Sequence, residues 1–292
     1  LIHSWQIGDV KVTNLVEYFA PTHDPAMLYP DYDPAILERN RSWLEGVHWF
    51  PSMNRLVIAI QVWIVHAGGN VIVVDTGVGN GKQRAAARMN RLNSLVPAWM
   101  AAAGAAPEQV THVVMTHLHA DHVGWNTVWD GSRWVPTFPN ARYFVPKDDF
   151  AYFRDVDAKN PAADGGSFTD SVMPVVDAGL AEFIDGQKTI ADCLEVVPAP
   201  GHTPGQLNYW VRSQGDVGVF SADIFHHPLQ IVEPSWNTAF CVLPDAARAT
   251  RAAFLAKAAD AGALVMPCHF APPHCGFVRR AGQGFAFEPA PL

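Results

Sequence analysis

The sequence predicts an α/β fold, and three observations carry the prediction. β-rich runs and helix-spaced segments alternate from one end of the 292 residues to the other. Several of the β-rich runs end in a loop that carries His or Asp. At 49% hydrophobic and 16% charged, the chain has ample apolar material for a core and too few charges for a disordered polymer. No composition break marks a linker, so residues 1–292 are read as one domain.

In chain order, Ile7 to Val16 alternates loosely and predicts a strand. Residues 20–53 are rich in proline and aromatics, and so long a connection is commonly functional or a lid. Within it Pro34 to Trp43 predicts a short helix, with Asp33 as its N-cap and proline in the first turn. Arg55 to His66 and Asn70 to Val74 predict a hairpin turning at Gly68-Gly69. Lys82 to Ala103 has helical spacing, broken near Pro97, and Pro107 to Gln109 predicts a helical turn. Then come a strand at Arg142 to Val145, a helix at Lys147 to Asp155 and an irregular loop over 157–166. Strands are predicted at Ala181–Ile184, Leu194–Val197, Leu207–Val211 and Val217–Ser221. An Ala-rich helix over Ala246–Ala261 ends at Gly262, and strands follow at Ala263–Met266, Gly276–Arg279 and Gly284–Phe287.

The chemistry is concentrated in Thr116-His117-Leu118-His119-Ala120-Asp121-His122, which follows the apolar run Val113-Val114-Met115. Alternate positions of an extended segment point to one side, so His117 and His119 converge, and the next turn can carry Asp121 and His122 inward. Imidazole nitrogen with carboxylate oxygen is a donor set that suits zinc. One histidine here would be an ordinary packed residue; three with an aspartate point to a metal site. Asp75 ends the apolar run before Thr76-Gly77, where an acid can cap the turn.

This HxHxDH pattern resembles the signature of the metallo-β-lactamase superfamily. Gly201-His202-Thr203-Pro204-Gly205, Ser221-Ala222-Asp223 and Met266-Pro267-Cys268-His269 follow in the order that the family keeps. The resemblance implies an αββα sandwich, two sheets back to back with helices outside and metals at one edge. It implies one metal on His117, His119 and His202, a second on Asp121, His122 and His269, and Asp223 as the bridge. Two Zn2+ ions per chain are expected, with Mn, Co or Fe as other divalent choices. A pair of such ions shares a hydroxide as nucleophile. Asp121 and Asp223 thereby become catalytic candidates, and Asp75 becomes a support for the ligands.

The C-terminal third is similar to the methyl parathion hydrolase and acyl-homoserine lactonase branch. There His226-His227-Pro228-Leu229-Gln230 follows Asp223, and Gly282-Gln283-Gly284-Phe285 stands near the end. Lactonases of that branch carry a Tyr three residues past the bridging Asp; His226 stands there in this chain. His226 is expected to donate a hydrogen bond or serve as acid to a leaving oxygen, the plain alternative being that His226 and His227 are a pair on the surface or behind the metal ligands. Trp49, Phe50, Trp125, Trp129, Trp236, His227 and His274 are expected around a pocket for a hydrophobic ester, lactone or aryl phosphotriester. His3, His23, His48, His66 and His112 are read as structural or surface residues.

The same resemblance leaves a glyoxalase-II-like thioesterase, a mono-iron persulfide dioxygenase and a non-catalytic metal-binding sensor as alternatives. The absence of GxSxG gives a serine hydrolase nothing to rest on. A net charge of -8 argues against a nucleic-acid partner, and no apolar run reaches the roughly 18 residues of a membrane span. A small substrate is therefore the expected partner, and a homodimer is compatible with the aromatic early segment. Leu1-Ile2-His3-Ser4-Trp5 does not read as a signal peptide, so a cytoplasmic location is expected; the non-Met start leaves a removed leader open. The four cysteines show no disulfide or CxxC spacing and are expected as reduced thiols.

Overall fold

The computed structural model describes residues 2–291. The strands are β1 (Ile2–Ile7), β2 (Val10–His23), β3 (Trp49–Phe50), β4 (Arg55–Ala67), β5 (Asn70–Val74), β6 (His112–Val114), β7 (Thr127–Trp129), β8 (Trp134–Pro136) and β9 (Arg142–Pro146). They continue with β10 (Ala181–Ile184), β11 (Thr189–Ile190), β12 (Leu194–Pro198), β13 (Leu207–Ser213), β14 (Asp216–Phe220), β15 (Leu264–Met266), β16 (Gly276–Ala281) and β17 (Gly284–Pro289). The helices are α1 (Pro25–Leu28), α2 (Pro34–Arg39), α3 (Arg41–Leu44), α4 (Val96–Ala102), α5 (Lys147–Lys159), α6 (Met173–Asp177), α7 (Leu229–Val232) and α8 (Pro244–Ala261).

An eight-stranded sheet runs β1-β2-β4-β5-β6-β9-β10, with β3 added against β4, and a seven-stranded sheet runs β11 to β17 in order. β5, β6, β9 and β10 are mutually parallel, as are β14 and β15. Parallel neighbours end on the same edge, which is how distant loops are brought together.

Period-two alternation builds the layers. On β4, Trp63 and Val65 face the other sheet, where they join Tyr209, Val211, Phe220 and Met266. Val62 and Ile64 point the other way, into a cluster with Met100 of α4 and Phe153 of α5. Trp210, Val219 and Val265 of the second sheet lie against Phe254, Leu255 and Ala258 of α8. The result is helix, sheet, sheet, helix. Each fully buried Leu or Phe contributes roughly 1.5–3 kcal/mol. A separate cluster of Tyr29, Leu37, Leu44, Trp49, Leu56 and Trp236 seats the proline-rich early segment.

Several expectations change. The strand expected over Ile7 to Val16 is divided by a turn at Gly8-Asp9, so that Ile7 ends β1 and Val10 opens β2. The helix expected over Lys82–Ala103 is confined to α4, with a single 3-10 turn at Ala87–Met89 before it. Tertiary contacts override its helical spacing: Lys82 Nζ donates to Thr127 Oγ1 at 2.7 Å, and Arg84 clasps Asp170 at 2.7 and 2.9 Å. The irregular loop starts later than expected, because α5 continues to Lys159. A further helical stretch runs over 168–177, and its buried face carries Phe168, Val172 and Val175. By contrast Asp33 caps α2 as expected, accepting from Ala35 N at 2.9 Å, and Gly262 closes α8 at φ +59°. The described cysteines are all free thiols. No helix among the described residues is long and apolar enough to cross a membrane.

Candidate metal centre

Every residue of the proposed ligand set follows a strand end. His117, His119, Asp121 and His122 follow β6, His202 lies between β12 and β13, Asp223 follows β14, and His269 follows β15. The parallel pairing of β14 with β15, and of β5 with β6, delivers these loops to one edge of the sandwich. Ala222, immediately before Asp223, sits at φ +53°. A buried non-glycine residue held there is strained by about 1–2 kcal/mol, and that turn aims the Asp223 carboxylate.

The geometry is convergent. His119 Nδ1 lies 3.0 Å from His117 Nε2 and 2.9 Å from His202 Nε2. Asp223 Oδ2 lies 3.1 Å from the Nε2 atoms of His269 and His226, 3.3 Å from that of His202, 3.5 Å from that of His122 and 3.6 Å from that of His117. Asp121 approaches His122 Nε2 at 3.7 Å and His269 Nε2 at 4.0 Å. Among the described residues the trios His117-His119-His202 and Asp121-His122-His269 each bring their ligand atoms within 4.8 Å of one another, as do His117-His122-Asp223 and His202-Asp223-His226, which share the Asp223 carboxylate.

The remaining ring atoms say which way the lone pairs point. His269 Nδ1 donates to Ala59 O at 2.7 Å, and His122 Nδ1 donates to Asp75 Oδ2 at 2.9 Å. Thr116 Oγ1 gives its proton to Asp75 Oδ2 and accepts from His117 Nδ1 at 3.0 Å. Each of these three imidazoles thus directs its Nδ1 proton outward and turns Nε2, the atom a cation would take, inward. His122 Nε2 and Asp223 Oδ1 are buried with no hydrogen-bond partner. Unpaired buried acceptors are costly. A cation satisfies them, since tetrahedral ligands at zinc's 2.0–2.1 Å stand about 3.3 Å apart, close to the spacings here. The residues present fit a metal.

Charge coupling within the cluster is strong. Burial and neighbouring imidazoles hold His117 and His202 well below 6.5, outweighing the pull of Asp223. Burial depresses His122 too, but Asp223, Asp121 and Asp75 outweigh it and hold that ring well above 6.5. Burial pushes Asp223 up, yet His269, His122, His226 and His117 together keep it well below 3.8.

Behind the ligands stand two buried carboxylates. Asp75 accepts from Thr116 N at 2.7 Å as well as from His122 and the Cys268 thiol. Asp149, at the start of α5, accepts from Leu118 N at 3.2 Å, Thr203 Oγ1 at 2.8 Å and Gly205 N at 2.6 Å. It thereby ties the His117–His122 loop to the His202 loop. Gly205 is required there because a Cβ would run into the backbone of Asp149. Asp75 was legible as a strand-end acid; Asp149 carried no motif.

A cavity opens over the cluster, and His119, Asp121, His202, Asp223, His226 and His269 form its floor. Its walls are Tyr18, Thr22 and His23 of β2, Leu28 of α1, Ile58 and Ile60 of β4, Arg88, Met89, Asp164 and Phe240. His226 faces it as expected, with its Nδ1 buried and unpartnered.

The other expected wall residues lie elsewhere. Trp49 and Trp236 are buried in the cluster that seats the early segment, and Phe50 pairs on β3 beside Trp49. Trp125 is buried, its indole donating to Glu17 at 2.8 Å. Trp129 is 55% exposed on the separate β7–β8 hairpin, where it packs on Trp134. His227 is fixed at both nitrogens, donating to His48 O at 2.9 Å and accepting from Leu229 N at 3.2 Å. His274 is buried, with Nδ1 donating to Phe270 O at 2.8 Å. His23 corrects the reading in the opposite sense, because it lines the cavity. Its only signal was membership of the long early segment.

Comparison with known proteins gives a consistent picture. The family model described as the metallo-beta-lactamase superfamily matches residues 56–269. The chain is similar to "Probable metallo-hydrolase YybB" of Bacillus subtilis (strain 168), with 24% identity over 186 residues covering 60% of this chain and 69% of that protein. Among solved structures it is similar to the hydrolase AbOPH of the beta lactamase superfamily, with a TM-score of 0.82 and 24% identity, covering 100% of this chain and 98% of that one. It is also similar to AidC, a dizinc quorum-quenching lactonase in complex with a product, with a TM-score of 0.80, 22% identity and the same coverage. At such identities the likeness is one of fold.

Proposed function

The chain belongs to the metallo-β-lactamase superfamily, whose members are metal-dependent, and from that premise we propose a single-domain dinuclear zinc hydrolase acting on a hydrophobic ester, lactone or aryl phosphotriester. The observation that carries the reading is the position of Asp223 Oδ2, within 3.1–3.6 Å of four imidazoles drawn from both ligand groups and 3.1 Å from that of His226. His117, His119 and His202 would hold one ion, Asp121, His122 and His269 the other, and Asp223 would touch both. Bound there, two cations supply Lewis acidity and make water acidic enough to attack near neutral pH.

The chain's own groups do the rest. Asp75 and Ala59 O fix the inward tautomers of His122 and His269, so these ligands need no reorganisation. His226 faces the cavity from beside Asp223; its role in this reading would be to donate to a substrate oxygen or to protonate the departing one. Ile58, Ile60, Leu28 and Phe240 present apolar wall to an acyl or aryl group and exclude water from the reacting end. The name lactonase and the ring-opened homoserine product given for AidC support the ester and lactone part of this class.

The test is turnover of a long-chain acyl lactone against an aryl phosphotriester by zinc-loaded protein, with His117→Ala as blank. Hydrolysis of at least one, lost in the blank, is expected. Zinc loading with no turnover of these or of aryl esters would contradict the reading.

A further inference from the structure

The cavity over the metal ligands continues outward into a second chamber, and Thr22, His23, Arg88, Met89, Asp164 and Phe240 line both. The outer chamber adds apolar wall from Met27, Ala85 and Ala86. Four charged side chains face it: Asp24, Arg84, Arg88 and Asp164.

Three of the four are committed. Asp24 caps α1 through Ala26 N at 3.0 Å and pairs with Arg55 at 3.0 Å. Arg84 is locked on Asp170. Asp164 accepts from Ala120 N at 2.6 Å and Ser167 Oγ at 3.2 Å. Arg88 alone has neither an ion pair nor a side-chain hydrogen bond among the described residues. It sits half-buried on the 3-10 turn Ala87–Met89, at the joint between the two chambers. The neighbouring His23 imidazole is held near 3 by burial and by the Arg88 charge, so it adds no second cation.

We propose that Arg88 recognises a carboxylate on the substrate, so that the preferred ester or lactone carries an acidic tail at the end of its apolar chain. This rests on the hydrolase reading for the reacting end of the molecule. A guanidinium fork matches the planar carboxylate in two parallel hydrogen bonds. A dianionic phosphate suits the chamber less well, because Asp24 and Asp164 face the same space. The apolar walls between Arg88 and the ligand cluster would hold the intervening methylenes.

The test compares binding of straight-chain dicarboxylates of increasing length with the monocarboxylate of each length, by calorimetry on zinc-loaded protein. At one favoured length the dicarboxylate should bind about tenfold or more tightly, the worth of a charge-assisted hydrogen bond. Arg88→Met should bring that ratio to within about twofold and Arg88→Lys should keep part of it, while Arg133→Met, on the distant β7–β8 hairpin, keeps it all. A wild-type ratio near one, or a ratio that survives Arg88→Met, overturns the proposal. A parallel assay with aryl hemiesters separates the two readings. Arg88-dependent binding without turnover sinks the hydrolase and leaves Arg88 standing; turnover without acid preference does the reverse.

Discussion

The floor and the walls of the cavity are built in opposite ways. The floor comes from short motifs at strand ends, each delivering one to four ligands, with hydrogen bonds from Asp75, Asp149 and Ala59 fixing their orientation. The walls come from single residues of β2, α1, β4, the 3-10 turn at Ala87–Met89 and the segment after α7, with no shared pattern. Chemistry demands a fixed donor geometry, so the floor must repeat a motif. A wall only needs shape and polarity, which many residue types supply. Reaction type is therefore written in the floor and substrate choice in the walls.

The largest effect expected from breaking the floor is at the shared carboxylate. Asp223→Ala should lose one or both metals and at least about a hundredfold in turnover; full activity with two metals retained would remove its bridging role. His226→Phe should lower kcat by about a hundredfold while metal content stays intact. Loss of metal in that variant would make His226 a ligand. Among the walls, Phe240→Ala should alter KM for apolar substrates several-fold, whereas Trp129→Ala, out on its hairpin, should leave kinetics unchanged. Equal effects would mean that the β7–β8 hairpin reaches the substrate.

The smallest effect concerns stability and pH. Burial lowers His48 to about 4 and His227 to about 3, against 6.5 for a free imidazole. The unfolded chain then binds more protons between those values, so this contribution is full above pH 6.5 and is lost as pH falls towards 4. His48→Leu leaves the backbone acceptor of His227 in place and should flatten the acid limb of the urea midpoint against pH. An unchanged limb would show that the His48 ring titrates alike in both states.

Most of the longer strands, and the convergence of His117 with His119, were legible because both rest on local rules, whereas His202, Asp223 and His269 came with the family resemblance. Alternation on β4, the Gly68-Gly69 turn and the cap at Asp33 each follow from residues close in sequence. The helix expected over Lys82–Ala103 failed because Lys82 and Arg84 are claimed by Asp170, some ninety residues away, and no local pattern reports such a contact. The pocket failed for a related reason. Tryptophan is large enough that the core claims it first, as with Trp49, Trp125 and Trp236. His23, a residue with no motif, became wall because β2 runs on beyond Leu15, its last pairing with β1, to reach the cavity.

The most direct test of the two-group centre is a zinc titration of chelator-stripped protein, following bound metal and hydrolysis together. Two equivalents per chain, with activity complete only as the second binds, is the predicted result. Full activity at one equivalent, or binding that stops at one, would contradict a centre in which Asp223 joins two sets of ligands.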